Sequence, residues 1–362
     1  MKVPFLDLRV TDDAERRELT DALDAVLRHG RFVFGPEVGE LEGRLAAACG
    51  RRFAVGVGSG TDALIVGLKS LGIGPGDEVI TTPLSFVATA NAISLVGAVP
   101  VFADVGDDLN LDPDTIDPLV TAATKAVLPV HWTGRVCRMS DIMAVAERRK
   151  LMVVEDCSQA FGATRNGAPA GSFGAVACFS MNPMKVFAAC GEAGFVATDC
   201  EDAADALRAL HYNGMVDRDT CSQISHNARL DTVQAAMLLR RIERYPAKVV
   251  ARRDVARFYD QALSGMVETP PADDGGESVY YTYTVLASDR DRLRAHLAEN
   301  GIETKVQHLP LMPDQPAHRL SAGGDSPNAR RLMKNALSLP ASEKVSADQR
   351  QYVADCIRAF YG

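Results

Sequence analysis

Short apolar segments alternate with amphipathic ones from about residue 50 to about residue 200. Several of the apolar segments are continuous rather than alternating, as expected for strands covered on both faces. The predicted strands span 53–57, 78–82, 99–105, 125–131, 151–155, 175–181 and 194–198. Apolar positions between them predict helices, including 61–71 and 139–149. This alternation predicts an α/β fold with a mostly parallel central sheet and helices on both faces.

The pattern changes after Asp231. A helical stretch over 231–245 meets Pro246, which we expect to end or kink the helix before it resumes over 252–263. The remaining predicted elements are a loop at 263–277, a strand at 279–286, a helix at 290–300, a strand at 303–307 and a helix at 347–360. We therefore predict a large domain over 1–245 and a smaller C-terminal α/β domain over 246–362.

Composition narrows the function further. The chain has 362 residues, 47% of them hydrophobic, which is ample for a large core plus a smaller one. Its net charge of −8, without a long basic run, does not suit a general nucleic-acid or membrane-surface binder. The eight cysteines form no C-x-x-C pair, so the sequence predicts no metal site. Without an apolar leader or a membrane-length segment, we expect a cytoplasmic protein.

Lys185 is the most informative residue for chemistry. It follows the strand predicted at 175–181, and Asp156 follows the strand predicted at 151–155. In pyridoxal phosphate (PLP) enzymes a lysine forms a Schiff base, an aspartate pairs with the pyridinium nitrogen, and a hydroxyl such as that of Ser180 can hold the phosphate. Lys185 could instead be a surface lysine, and Asp156 could pair with an arginine or cap a helix over 157–161.

Two other segments could complete such a site. The turn Gly56-Val57-Gly58-Ser59-Gly60-Thr61 runs from a strand into a helix, whose N-terminus could bind a phosphate. Its third glycine is misplaced for the G-x-G-x-x-G pattern of dinucleotide folds, and an ordinary turn is an equal alternative. Phe86 could stack on a flat pyridine ring or simply pack in the core. Gln159 could lie over the ring, whereas Glu155 should face away from it.

Short motifs typical of a single enzyme family occur, in the same order, along nearly the whole chain. They lie at 4–8, 58–64, 74–80, 88–93, 129–134, 154–160, 179–185, 226–231, 300–304 and 337–340. Together these segments resemble the DegT-type (DegT/DnrJ/StrS) sugar aminotransferases, PLP-dependent enzymes of fold type I. Two positions depart from the family pattern. Ala193 stands where a second glycine is frequent, which requires a backbone that is not left-handed there, and Met181 stands where an aromatic is frequent.

The resemblance implies a role for each matching residue. Lys185 would form the Schiff base, Asp156 would pair with the ring nitrogen, and Asn227 would reach the cofactor phosphate of the neighbouring subunit in a homodimer. The other implied contacts are phosphate binding by Gly60, Thr61 and Ser180, ring stacking by Phe86, ring contact by Gln159, and sugar-nucleotide binding around Gln307 and His308.

The resemblance also implies the reaction. The amino group of a donor, with L-glutamate expected, would pass through the cofactor to a nucleotide-linked keto sugar in ping-pong order. Three alternatives stay open: a PLP-dependent sugar dehydratase, an aminotransferase acting on a cyclitol ketone, and a regulator or scaffold without catalysis. A dehydratase branch of the family replaces the lysine by histidine, so Lys185 argues against it. The sugar, its nucleotide and the aminated carbon are not encoded in any recognisable pattern.

Overall fold

The computed structural model describes residues 1–272, 275–319 and 321–362. The helices in these ranges are α1 (Asp13–His29), α2 (Pro36–Ala48), α3 (Gly60–Ser70), α4 (Ala88–Leu95), α5 (Met139–Arg149), α6 (Glu201–Leu210), α7 (Thr232–Ala262), α8 (Arg290–Glu299), α9 (Pro327–Asn335) and α10 (Ala347–Tyr361). The strands are β1 (Phe53–Val57), β2 (Glu78–Thr81), β3 (Val99–Phe102), β4 (Thr124–Leu128), β5 (Met152–Asp156), β6 (Thr164–Arg165), β7 (Ala168–Pro169), β8 (Val176–Ser180), β9 (Gly194–Thr198), β10 (Gly276–Glu277), β11 (Tyr283–Leu286), β12 (Ala322–Gly323) and β13 (Ala336–Leu339).

The central sheet has the strand order β1-β9-β8-β5-β4-β2-β3-β12. All neighbouring pairs are parallel except those of β9, which runs antiparallel to both β1 and β8. The strands are almost entirely buried, and separate apolar clusters cover the two faces of the sheet. The predicted α/β fold with a mostly parallel sheet is confirmed.

The carboxyl ends of β1, β2, β4, β5 and β8 meet at one edge of this sheet, because these strands run in the same direction. Ligands of open α/β sheets bind in the crevice at this edge. The segments that follow these strands contain Gly60, Phe86, Asp156 and Lys185. The topology therefore brings together residues that lie far apart in sequence.

A smaller apolar cluster lies in the C-terminal part of the chain. It joins the antiparallel pair β11–β13 with α8, α10 and the second half of α7, and Val3 from the N-terminus is buried in it as well. Helix α7 passes without interruption from the large core into this cluster. The proposed boundary between residues 245 and 246 thus falls inside one helix, and the division into two domains remains our proposal.

Pro246 does not end α7, which corrects the sequence-based expectation. A proline inside a helix removes one hydrogen bond and costs about 3 kcal/mol. Tyr245 and Val249 on either side of it are buried, and the Tyr245 hydroxyl donates to the carbonyl of Phe161. Packing of the flanking turns offsets the lost bond, so the helix continues.

Two predicted strands also differ from the structure. The segment 303–307 forms no strand, since only the isolated bridges Val3–Ile302 and Lys305–Ser338 occur there. The strand predicted at 279–286 is confined to Tyr283–Leu286. The loop predicted at 263–277 includes the short strand β10, and its residues 273 and 274 lie outside the described ranges. No helix within those ranges has the length and apolar content needed to cross a bilayer.

Candidate active site

A cavity of about 590 Å³ lies at the carboxyl edge of the sheet. It is lined by side chains from the large core and from the segment 305–308. The predicted site residues among its lining are Gly60, Thr61, Phe86, Asp156, Gln159, Ser180, Lys185, Gln307 and His308. Nine residues chosen from separate parts of the sequence therefore surround one space.

Asp156 presents a buried carboxylate to this cavity. Its side chain accepts a hydrogen bond from the Thr89 hydroxyl at 2.8 Å and from the backbone N–H of Ser158 at 3.1 Å. No ion pair within the described residues includes Asp156, and no helix follows it, so neither the arginine pair nor the helix cap is present. A buried carboxylate without a cationic partner is expensive, which suits a site that binds a cation.

Lys185 also lines the cavity, on the segment that follows β8. Its backbone N–H donates to the carbonyl of Asn182 at 2.8 Å, which closes a turn. Its Nζ atom lies 4.8 Å from the centroid of the Tyr281 ring, within range for a cation–π contact. The amine thus reaches the cavity rather than the outer surface, so Lys185 is not a simple surface lysine.

The turn before α3 forms a cradle for an anion. The Ser59 hydroxyl caps α3 by accepting from the N–H of Asp62, and the N–H groups of Gly60 and Thr61 have no protein acceptor within the described chain. A Cβ atom on Gly60 would lie 2.5 Å from the Cβ of Ser180, so only glycine allows this approach. Free N–H groups, a helix N-terminus and the Ser180 hydroxyl are together suited to a phosphate.

Phe86 and His308 line the cavity, and the buried Trp132 packs against His308 in a tilted arrangement. Phe86 is 54% exposed, which is incompatible with core packing, and its ring centroid lies 5.6 Å from that of His308. The other neighbour of His308 is Trp132, at 5.2 Å. Burial, followed by the nearby charges of Lys185 and Lys305, lowers the pKa of His308 to about 4. The imidazole is therefore neutral near pH 7 and can donate one hydrogen bond and accept another.

Gln159 also lines the cavity. Its Oε1 atom accepts a hydrogen bond from the backbone N–H of Thr133 at 2.9 Å. This contact sets the orientation of the amide and leaves its NH₂ group as the free donor. The position is compatible with the predicted contact to a ring oxygen.

Glu155 faces the opposite side of β5, as predicted from strand alternation. Its oxygens accept from His131 Nε2 at 3.0 Å and from the backbone N–H groups of Gly171, Phe173 and Gly174 at 2.7–3.0 Å. His131 Nδ1 accepts from the N–H of Cys137, so Nε2 carries the proton. Burial opposes ionisation, but these donors hold the pKa of Glu155 below its usual range. These hydrogen bonds anchor Glu155 and thereby the end of β5 that carries Asp156.

Asn227 is not part of the cavity in its own chain. It is exposed, and its side-chain oxygen accepts from Arg229 Nε at 2.9 Å. His226, the residue before it, contacts Asp62 on α3 at 2.8 Å. The implied contribution of Asn227 to a neighbouring subunit stays a prediction.

Several lining residues were not found from the sequence. They are Ser59, Ser85, Thr89, Asn182, Met184, Glu192, Tyr281 and Lys305. Ser85 and Thr89 lie close to Phe86, the one residue of this segment for which the sequence predicts a role, whereas Tyr281 and Lys305 come from the distant C-terminal part. At Ala193 the backbone is not left-handed, so the alanine needs no strain. Met181 is fully buried and does not line the cavity.

The chain is similar to known aminotransferases along most of its length. The chain matches the DegT/DnrJ/EryC1/StrS aminotransferase family over residues 13–358. It is 36% identical to a UDP-2-acetamido-2-deoxy-3-oxo-D-glucuronate aminotransferase of Pseudomonas aeruginosa, over 87% of this chain and 88% of the other. It is also 36% identical to a dTDP-3-amino-3,4,6-trideoxy-alpha-D-glucose transaminase of Micromonospora megalomicea, over 96% of this chain and 95% of the other.

One further relative and one solved structure are also similar to this chain. A "pleiotropic regulatory protein" of Geobacillus stearothermophilus is 37% identical over 100% of this chain and 99% of its own. The solved structure of NtdA from Bacillus subtilis, with the cofactor PMP bound, superimposes with a TM-score of 0.93 at 30% identity. That comparison covers 99% of this chain and 85% of the NtdA chain. The match in sequence to the Geobacillus protein and the match in structure to NtdA each extend over nearly the entire length of this chain.

Proposed function

This chain belongs to the DegT/DnrJ/EryC1/StrS aminotransferase family, and from that premise we propose that it uses PLP to transfer an amino group from L-glutamate to a nucleotide-linked keto sugar. One observation carries the proposal. Asp156, which has no cationic partner in the described chain, and the Lys185 amine face the same cavity as the free N-terminus of α3. A cation-binding carboxylate, an amine and a phosphate cradle are the three contacts that PLP requires.

The residues present fit this cofactor. The N–H groups of Gly60 and Thr61, with the Ser180 hydroxyl, would hold its phosphate, and Asp156 would accept from its ring nitrogen. Phe86 would cover the ring face, and Gln159 would donate to a ring oxygen. When bound, the cofactor supplies an electron sink for the reacting carbon. PMP, found in the related NtdA structure, is the amine form of the same cofactor and supports the assignment.

Lys185 and Tyr281 would have separate roles in the reaction. Lys185 would hold the cofactor in the resting enzyme, and its amine, once free, would serve as the base that moves a proton at the reacting carbon. The Tyr281 ring holds that amine on the cavity side. Because the donor would give up its amino group and leave before the keto sugar enters the same site and takes that group, we expect ping-pong kinetics.

The lining contributed by residues 305–308 suits a sugar nucleotide. Lys305 is a cationic side chain, which complements a diphosphate. Gln307 and neutral His308 can donate and accept hydrogen bonds, as sugar hydroxyls require. The names of the Pseudomonas and Micromonospora relatives support this substrate class, but they carry different nucleotides. The nucleotide is therefore left open.

Product mass tests the proposal directly. The purified protein is supplied with PLP and L-glutamate and then with UDP- and dTDP-linked 3-oxo sugars. We expect 2-oxoglutarate and a sugar nucleotide in which an amine replaces the carbonyl. Lys185→Ala should abolish turnover, whereas Lys334→Ala, an exposed lysine on α9, should not change it. Loss of water from the sugar would favour a dehydratase, and amination of a cyclitol ketone instead would change the substrate class.

A purely regulatory function predicts a different result. Such a protein would neither retain PLP nor produce 2-oxoglutarate, whatever sugar is offered. The regulatory name of the Geobacillus relative describes that protein and is compatible with either outcome here. Absence of PLP uptake by the wild-type protein would overturn the aminotransferase proposal.

We also propose that the active unit is a homodimer in which Asn227 serves the neighbouring site. Asn227 is exposed and lies outside the cavity of its own chain. Arg229, two residues away, lies over the ring of Phe34. Phe34 and the adjacent Phe32 and Val33 are 45%, 49% and 38% exposed. Exposed apolar side chains that adjoin one another are typical of interfaces.

Mixed dimers distinguish the two possible locations of Asn227. Lys185→Ala and Asn227→Ala chains are each expected to form impaired homodimers. In a dimer with one chain of each kind, one site keeps its own Lys185 and receives Asn227 from the partner, so about half of the wild-type activity should return. If Asn227 served its own chain, neither site would be complete and no activity would return. A fully active Asn227→Ala homodimer would also contradict the proposal.

A further inference from the structure

Three buried polar side chains in the lining of the cavity, Ser85, Thr89 and Asp156, are joined by hydrogen bonds. The Ser85 hydroxyl lies 2.8 Å from the Thr89 hydroxyl, and the Thr89 hydroxyl lies 2.8 Å from Asp156 Oδ2. Ser85, Thr89 and Asp156 are 4%, 1% and 3% exposed. At such burial each polar atom needs a partner, so these contacts are not incidental.

The direction of the hydrogen bonds follows from the chemistry of the groups. An ionised carboxylate only accepts, so the single proton of the Thr89 hydroxyl is given to Asp156. The Thr89 oxygen must then accept in its contact with Ser85, which makes Ser85 the donor. The hydrogen bonds therefore run from Ser85 through Thr89 to Asp156, and every donor points toward the carboxylate.

These bonds leave a defined part of the carboxylate free. Oδ2 accepts from Thr89, and Oδ1 accepts from the N–H of Ser158 at 3.1 Å. Each oxygen has two lone pairs, so one remains on each for a group in the cavity. With both oxygens anchored, the plane of the carboxylate is fixed before any ligand enters.

The same short segment supplies the ring-stacking side chain. Ser85 and Phe86 lie two to three residues before α4, and Thr89 lies in its first turn. Thr89 is thus held by the helix, while Phe86 projects into the cavity. One rigid segment would fix both the face of the ring and the partner of its nitrogen.

We propose that Thr89 and Ser85 are positioning residues that aim the Asp156 carboxylate at the ring nitrogen of PLP and keep that nitrogen protonated. The proposal rests on the proposed function, because it requires PLP in this cavity. Neither hydroxyl needs to touch the reacting atoms. Their effect is transmitted through Asp156, so it should be visible in cofactor binding and in the spectrum of the bound cofactor.

The test compares Thr89→Val, which keeps the shape but removes the hydroxyl, with Thr89→Ser, which keeps the hydroxyl. The cofactor-free proteins are titrated with PLP, and the visible absorbance of each complex is followed against pH. We expect about tenfold weaker PLP binding for Thr89→Val, since it loses a hydrogen bond to a charged group. Its absorbance midpoint should move to higher pH, because a less protonated ring nitrogen no longer lowers the proton affinity of the lysine-linked nitrogen. Thr89→Ser should restore both values to within about twofold of the wild type.

Two further variants complete the design. Ser85→Ala should shift both readouts in the same direction but less, and it continues the test if Thr89→Val does not fold. Ser94→Ala, an exposed position on the same helix, should leave them unchanged. If Thr89→Val and Ser85→Ala both bind PLP with the wild-type affinity and absorbance midpoint, the positioning proposal is wrong. If the wild-type protein itself takes up no PLP, the proposed function fails instead.

Discussion

The Nζ atom of Lys185 lies 4.8 Å from the centre of the Tyr281 ring. The two residues come from different parts of the fold, since Lys185 follows β8 in the large sheet and Tyr281 precedes β11 in the C-terminal part. The Lys185 amine, on the large core, thus lies against a ring of the C-terminal part. Any change in how these parts pack will reach the amine through this ring.

Replacing the ring tests this contact. Tyr281→Leu removes a cation–π interaction of about 0.5–1 kcal/mol and leaves the lysine less well oriented, so we expect kcat to fall severalfold. Tyr281→Phe keeps the ring and should remain close to the wild type. Steady-state kinetics with saturating donor measure both. An equal loss in the two variants would assign the effect to the hydroxyl instead of the ring.

Substitution of Gly60 tests the phosphate cradle, and the same substitution at Gly39 is its control. A Cβ atom at Gly60 would lie 2.5 Å from Ser180, whereas one at Gly39 on α2 would meet nothing within 4 Å. Gly60→Ala should therefore weaken PLP binding at least about tenfold by displacing Ser180 or α3. Gly39→Ala should bind PLP normally and stabilise the protein by up to about 1 kcal/mol. Equal PLP affinity in the two variants, measured by titration of the cofactor-free proteins, would exclude a tight cradle at Gly60.

His308 should make stability depend on pH. Burial, then the charges of Lys185 and Lys305, lowers its pKa from 6.5 to about 4 in the folded protein. Between these values the unfolded chain binds a proton that the folded chain does not, so the free energy of unfolding decreases as the pH falls through this range. Denaturant unfolding at several pH values should give a shallower dependence for His308→Gln than for the wild type. Parallel curves would mean that His308 titrates normally.

Glu155 should be important for folding rather than for chemistry. It accepts hydrogen bonds from His131 and three backbone N–H groups in a fully buried position. Glu155→Gln places an NH₂ group among these donors, so we expect a loss of about 2–4 kcal/mol in the free energy of unfolding. Glu147→Gln, an exposed substitution on α5, should change it by less than about 0.5 kcal/mol. Urea unfolding of the cofactor-free proteins measures both, and similar midpoints would argue against this network.

The sheet was predictable because its signal is local. Each buried strand is a short apolar run, and each neighbouring helix has its own apolar face, so the order of elements follows from the sequence. Pro246 and the segment 303–307 were predicted wrongly for the opposite reason. Continuation of α7 depends on the packing of Tyr245 and Val249, and a strand at 303–307 would have required more partners than two isolated bridges provide.

The candidate site divides in the same way. Lys185, Asp156 and the Gly60 turn stand at strand ends, where side-chain chemistry and position together indicate a role. Tyr281 and Lys305 reach the cavity only through the packing of the C-terminal part, which no local pattern reveals. The bond from Thr89 to Asp156 joins residues 67 positions apart, so its existence could not be inferred from either neighbourhood alone.

Trp132, which packs against His308, is the single tryptophan of the chain. All indole fluorescence of the protein therefore originates one ring away from the cavity, behind a residue that lines it. A bound chromophore that absorbs in the near ultraviolet would accept energy from this indole over so short a distance and dim its emission. The intrinsic fluorescence of Trp132 should therefore report binding and release of such a chromophore without an added label.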